Sequence, residues 1–176
     1  VGNGNNAAQR AISEADILQL NGDRLYALSR FSGLSIIDVS NPQALRLEGV
    51  YRTAAEPFEM YVQDGLVFAM FNGWYSYQCN EQGVCSWQQT SRMQAIDARN
   101  PADIQLLADH EVPGAISDSR RVGDVLYLAT HEWGGCWGCQ TVPNTTVTSF
   151  NVANPTELTQ VDQLRLPSPP ETYLGE

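Results

Sequence analysis

GDRLYALSRFSGLSIIDVSNP, Gly22 to Pro42, holds a complete supersecondary unit. Tyr26 and Leu28 alternate with smaller or polar neighbours, the pattern of a half-buried strand. Ser32 and Gly33 supply a tight turn. Leu34 to Val39 is apolar and β-branched, and Ser40, Asn41 and Pro42 end it. The unit recurs twice. DGLVFAMF from Asp64 closes with MQAIDARNP at Pro101, and GDVLYLAT from Gly123 closes with VTSFNVANP at Pro155. Three copies of one strand–turn–strand unit decide the fold class before any single residue does.

Working outward, each copy grows to four strands. The first is predicted at 13–20, 24–30, 34–39 and 45–51, the second at 58–63, 66–71, 92–98 and 104–112, and the third at 116–122, 125–130, 146–152 and 158–166. Register supports the repeat. Tyr26, Phe68 and Tyr127 are equivalent, as are Ile37, Ile96 and Phe150, and Leu34, Met93 and Val147. Leu45, Ile104 and Leu158 follow the closing prolines at one fixed distance. No amphipathic segment of helical period and length interrupts this. Four antiparallel strands per unit describe the blades of a β-propeller, with an all-β fold and blades at about 13–56, 57–112 and 113–166. Residues 1–12, rich in Gly and Asn, read as an arm or linker, and 167–176 as a tail or the start of a next blade. Three blades cannot close a ring, which needs at least about four. The end blades are therefore expected to leave apolar faces uncovered: Leu18, Leu20, Ile36 and Leu47 in the first unit, Val161 and Leu164 in the third. Such faces invite self-association.

Composition narrows the function classes. Twenty acidic against ten basic residues give a net charge of −10. No Lys/Arg stripe exists to displace counterions, which argues against a nucleic-acid partner. No apolar run approaches the roughly 20 residues of a membrane-spanning helix. The chain begins at Val1 rather than Met, as expected of a processed or excised form. The four cysteines form two close pairs, Cys79/Cys85 and Cys136/Cys139. Disulfides persist outside the reducing cytosol, so the pairing suggests an exported protein, secreted, periplasmic or at the cell surface.

The closing prolines Pro42, Pro101 and Pro155 stand further apart than the roughly 40–50 residues of common blades. The excess lies in two insertions between second and third strands. WYSYQCNEQGVCSWQQTS, residues 74–91, reads as the same hairpin continued outward, its tip at Asn80 to Gly83 flanked by Cys79 and Cys85. EWGGCWGCQTVPNTT, residues 132–146, is richer in Gly and less strand-like. Two local disulfides, Cys79–Cys85 and Cys136–Cys139, are the first expectation; cross-insertion bridges and a four-thiolate zinc site are the alternatives. His131 and Glu132 near Cys136 lack the helical H-E-x-x-H spacing, and no cofactor motif is present. All four tryptophans, Trp74, Trp87, Trp133 and Trp137, lie in the insertions together with Tyr75 and Tyr77. Clustered aromatics fit a binding surface for a protein, peptide or glycan; the structural alternative is that they stiffen the hairpins.

The innermost strands carry Glu14, Asp16, Glu59, Asp118, Arg120 and Arg121. In a propeller these would line the channel and satisfy one another, with a ligand site the lesser reading. Asp38 and Asp97 precede the S-N-P and R-N-P turns, and Asn151 stands in their place in the third unit. That exchange fits a turn-capping side chain rather than a catalytic carboxylate.

NNAAQRAISEADILQLNGDRLYAL, SRRVGDVLYLATHE and TTVTSFNVANP resemble the secreted bacterial β-propeller domain distantly related to WD-type repeats, and LSIIDVSNP resembles the short LVIVD-type propeller repeat. The resemblance covers nearly the whole chain. It implies export and a propeller longer than these residues, and it supplies no catalytic residues. The expected function is therefore non-catalytic binding or scaffolding through the insertion-bearing face. The alternative is part of a propeller hydrolase or lyase whose active site needs further blades.

Overall fold

The computed structural model describes residues 12–13, 16–53, 55–79, 83, 85–132 and 144–167. Blade one is β2 (Leu18–Asn21), β3 (Arg24–Ser29), β4 (Gly33–Asp38) and β5 (Arg46–Tyr51). Blade two is β6 (Glu56–Gln63), β7 (Leu66–Cys79), β8 (Cys85–Asp97) and β9 (Gln105–Pro113). Blade three is β10 (Ala115–Val122), β11 (Val125–Glu132), β12 (Asn144–Asn151) and β13 (Thr159–Pro167). Each is an antiparallel meander paired in chain order. A two-residue strand, β1 (Ile12–Ser13), adds to the free edge of β10, so blade three has five strands.

The repeat extends to individual hydrogen bonds. The first hairpin of each blade turns on Gly and Asp. In blades one and three the glycine comes first (Gly22 and Gly123, both φ 61°), the arrangement of a type II′ turn. In blade two the order is reversed, and Asp64 (φ 49°) and Gly65 (φ 78°) both occupy the left-handed region, as type I′ requires. The closing turns are capped three times alike. Asp38, Asp97 and Asn151 each accept a hydrogen bond from the backbone N–H two residues on, at 2.9, 3.1 and 2.9 Å. Asn41, Asn100 and Asn154, three residues further on, do the same at 3.0, 3.3 and 3.2 Å. Asn and Asp suit these sites because a short side-chain oxygen can satisfy an N–H that the turn would otherwise leave free.

Because successive side chains alternate, each blade has two apolar faces. Tyr26, Leu28, Leu34 and Ile36 point from blade one into a cluster with Met60, Val67, Ala69, Phe71 and Ile96 of blade two. The opposite face of blade two sends Phe68, Met70, Met93 and Ala95 against Leu126, Leu128 and Phe150 of blade three. Positions equivalent in sequence thus play equivalent parts. Tyr26 and Phe68 face onward to the next blade and are buried, while Tyr127, with no further described blade beside it, is 38% exposed. Ile96 and Phe150 face back to the previous blade and are buried, while Ile37 is half-buried. Gly49 permits the close approach of blade one to the closing turn of blade two, since a Cβ there would lie 2.1 Å from the carbonyl oxygen of Pro101.

Two local expectations are corrected. The segment 13–20 is not one strand: Ser13 pairs with Arg121 of blade three, Asp16 bridges Met60 of blade two, and β2 begins at Leu18. The chain touches three different inner edges in turn, and no single edge can hold it straight. Ile36 is fully buried, not on the uncovered face. A bulge between Ile36 and Ile37 in the β4–β5 ladder sets Leu47 opposite Ile37, so Leu47 shares the backward face and Ile36 the forward one. The uncovered faces carry Leu18, Leu20, Leu45 and Leu47 at one end and Val161 and Leu164 at the other, all exposed.

The seams predict graded mutational costs. Ile96→Ala and Phe150→Ala should each lose roughly 2–5 kcal/mol in chemical denaturation, and Ile37→Ala clearly less, because its neighbour on one side is solvent. Equal losses at all three positions would contradict the face assignment. The caps predict an acid dependence. Hydrogen bonds from Arg46 and Arg99 hold the carboxyls of Asp38 and Asp97 below the usual carboxylate range. Their contribution is full above the unfolded value near 4 and is lost as pH falls through the lowered native values. Asp38→Asn and Asp97→Asn keep the cap, as Asn151 does natively, and should flatten stability against pH on the acid side of thermal melts.

Candidate functional site

Strands β7 and β8 run well past their neighbours, forming a two-stranded ribbon beyond the bulge between Phe71 and Trp74. Pairing continues from Trp74 with Thr90 to Cys79 with Cys85. The two cysteines are joined in a disulfide across a separation of six residues, which closes the tip. Residues 74–79 and 85–91 contain no charged side chain, in a chain where 17% of residues are charged.

Alternation sorts the ribbon's aromatic residues into two sets. Tyr75, Tyr77 and Trp87 share one face and are 62%, 60% and 69% exposed. Tyr77 and Trp87 are direct cross-strand partners with ring centroids 5.4 Å apart and tilted planes, so the two rings brace each other. Trp74 lies on the other face. It packs against the blade-one/blade-two core with the Arg92 guanidinium 4.8 Å from its ring centroid. Trp74 therefore anchors the ribbon and is not part of the exposed strip. Trp133, Trp137, Cys136 and Cys139 lie outside the described residues; the neighbouring strands β11 and β12 end at Glu132 and begin at Asn144, which pair with each other.

The ribbon's root is held towards blade three by hydrogen bonds and towards blade one by the packing of Trp74. Towards blade three, the Asn72 amide donates to the Ile116 carbonyl at 3.0 Å and accepts from its N–H at 2.8 Å. The Ser91 hydroxyl lies 2.7 Å from both Asn72 Oδ1 and the Gly114 carbonyl. The Gly114 N–H donates to the Gln89 carbonyl at 3.0 Å. Gln19 makes a similar clasp between blades one and two, donating to the Met60 carbonyl at 2.9 Å and accepting from the Val62 N–H at 3.0 Å. A side-chain amide reproduces one rung of a β-ladder where two sheets meet without pairing, satisfying backbone groups that burial would otherwise strand. Single Asn and Gln residues in strands carry no sequence signal for this role.

Glu14 lies outside the described residues, and the inner-strand side chains that are described do not gather at one point. Glu59 accepts from the Ser119 hydroxyl at 2.6 Å, and Ser119 contacts the Tyr61 hydroxyl at 3.0 Å, linking blades two and three. Burial raises the Tyr61 pKa. Asp118 and Arg120 pair with each other at 3.2 Å on the uncovered side of blade three. Arg121 turns the other way and covers the Phe68 ring at 5.1 Å, and desolvation lowers its pKa. The Asp16 backbone carbonyl accepts from Met60 N–H at 3.1 Å, and its carboxylate accepts from Ile17 N–H. Among the described residues, no three His, Cys, Asp or Glu side chains gather as a metal site. His110 is half-buried, edge-on to Phe150 at 4.9 Å, and burial lowers its pKa.

The tip disulfide closes a short loop between residues already in register, so its contribution belongs at the low end of about 2–4 kcal/mol. Cys79→Ser with Cys85→Ser should speed amide exchange in residues 75–79 and 85–89 and leave exchange in the blade cores unchanged. Loss of core protection in the double variant would show that the bridge supports the fold rather than the ribbon.

No match is found among curated proteins, and none among solved structures. No helix among the described residues is long and apolar enough to cross a membrane. The model of the family described as Beta propeller domain matches residues 4–170, nearly the whole chain. The chain belongs to the β-propeller domain family.

Proposed function

We propose that this chain is a scaffold that presents the β7–β8 ribbon to a binding partner outside the cytosol. The observation that carries this reading is the uncharged strip of Tyr75, Tyr77 and Trp87, exposed on a disulfide-closed ribbon whose root is clasped to blade three by Asn72 and anchored by Trp74 against the blade-one/blade-two core. Trp and Tyr supply large contact area at low entropy cost, and a ribbon held before binding loses little freedom on docking. The partner is an uncharged protein, peptide or glycan surface, since the ribbon strands have no charge with which to discriminate. The inner-strand carboxylates support binding over catalysis in this segment: Glu59 is engaged with Ser119 and Asp118 with Arg120. Once a ligand is found by peptide or glycan array, Tyr77→Ala with Trp87→Ala should weaken it by a factor of about 30 or more, as expected for paired aromatic anchors. Unchanged affinity with the fold intact would move the function off the ribbon.

The uncovered faces support a second element of the reading. They carry the same register positions as the faces that fill the two internal seams: Leu25 and Ile37 at one end correspond to Val67 and Ile96, and Tyr127 and Val147 at the other to Phe68 and Met93. The surface that fits them is another blade of the same repeat, and for this chain alone in solution that is a second copy. Burial recovers about 25 cal/mol per Å² of apolar surface, so a few hundred Å² gives several kcal/mol, and salt screens the opposing charge within about 10 Å. Sedimentation at rising concentration and high salt should show a dimer, and Leu20→Asp with Leu47→Asp should return it to monomer. A parent chain that stays monomeric at tens of micromolar overturns this element.

A further inference from the structure

Four buried polar side-chain atoms lack a hydrogen-bond partner among the described residues: Trp74 Nε1, Thr90 Oγ1, Arg92 Nε and Gln94 Oε1. All four belong to one patch. Trp74 and Thr90 pair across β7 and β8, and Arg92 and Gln94 follow Thr90 at alternate positions of β8. They share the face of blade two that turns to blade one, behind the exposed aromatic strip. Thr90 is 1% and Gln94 5% exposed.

The rest of these side chains is engaged. Arg92 donates to Asp109 at 2.7 Å and reaches Glu111 at 3.6 Å, and the Gln94 amide N–H₂ points to the same Asp109 carboxylate at 3.4 Å. From blade one, Tyr51 packs against this face, close enough that Asp109's charge adds to burial in raising its phenol pKa. Buried polar atoms without partners are rare in folded proteins, and four on alternate positions of one strand face and its cross-strand partner point to guest groups held along this seam. Their chemistry follows from the atoms. Trp74 Nε1 and Arg92 Nε only donate, Gln94 Oε1 only accepts, and Thr90 Oγ1 does both. A carboxylate guest would leave Gln94 unpaired and face Asp109 and Glu111. A cation would face the Arg92 guanidinium and the indole N–H. Neutral hydroxyls, which donate and accept, can between them meet all four.

We propose that the blade-one/blade-two seam behind the ribbon is a binding site for neutral hydroxyl groups, supplied by ordered water or by a small sugar. It does not depend on what the exposed strip binds. The direct probe is the Trp74 indole N–H in ¹⁵N NMR spectra, assigned by its disappearance in Trp74→Phe. With water as the source, the parent indole signal shows a cross-relaxation peak to water that glucose or xylose at tens of millimolar leaves unchanged. With a sugar as the source, glucose or xylose shifts that signal saturably, and Thr90→Val removes the shift. In either case Thr90→Val and Gln94→Met, which keep shape but remove the bonded group, should lower Tm by roughly 3–6 °C each, while Thr90→Ser retains the indole response. A parent indole with neither a water peak nor a sugar shift overturns the proposal. So do Thr90→Val and Gln94→Met melting at or above the parent, because the removed atoms would then have been unpaired.

Discussion

A propeller blade is apolar on both faces, and this one constraint shapes the rest of the molecule. Period-two alternation turns Tyr26 and Phe68 forward and Ile96 and Phe150 back, so a blade buries both faces only with a neighbour on each side. Blade two, with both neighbours, contributes to both core clusters through fully buried side chains such as Val67, Met70, Met93 and Ile96. Blades one and three each bury one face and expose the other. The exposure of Leu18, Leu20, Leu47 and Leu164 is therefore a property of position in the arc, not of poor patterning.

The proposed binding surface lies where that constraint is relaxed. Strands β7 and β8 outrun the blades beside them, and past Trp74 the ribbon's forward face has no described sheet against it. An aromatic side chain on such a face meets solvent or a partner. Stability for the overhang comes from local devices: the Tyr77–Trp87 pair, the Cys79–Cys85 bridge, and Trp74 pinned beneath Arg92. Below it, the seams combine apolar packing with polar clasps by Gln19, Asn72 and Ser119, which fix how blades sit against each other more directionally than hydrophobic contact can.

The fold was largely legible in the amino-acid sequence because its determinants are local and written three times. Gly–Asp turns, alternating strands and Asx-capped closing turns each depend on neighbours a few residues away, so Asp38, Asp97 and Asn151 could be read as caps without knowing the sheet. The outward hairpin at 74–91 was legible for the same reason, since a strand pattern continued on both sides of a turn.

What tertiary structure alone decided depends on contacts between residues far apart in the chain. Whether a tryptophan anchors or is displayed turns on a bulge that sets Trp74 opposite Thr90, and nothing in the run of aromatics marks it. The split of Ser13, Asp16 and Leu18 among three inner edges, the burial of Ile36, the opposite turns of Arg120 and Arg121, and the amide clasps likewise follow from which edge or face lies nearby. Sequence by itself determined the blades, their turns and the place where chain was added. The seams between blades, and therefore the ribbon's two faces, were decided only by packing, because a face acquires its meaning from the sheet set against it.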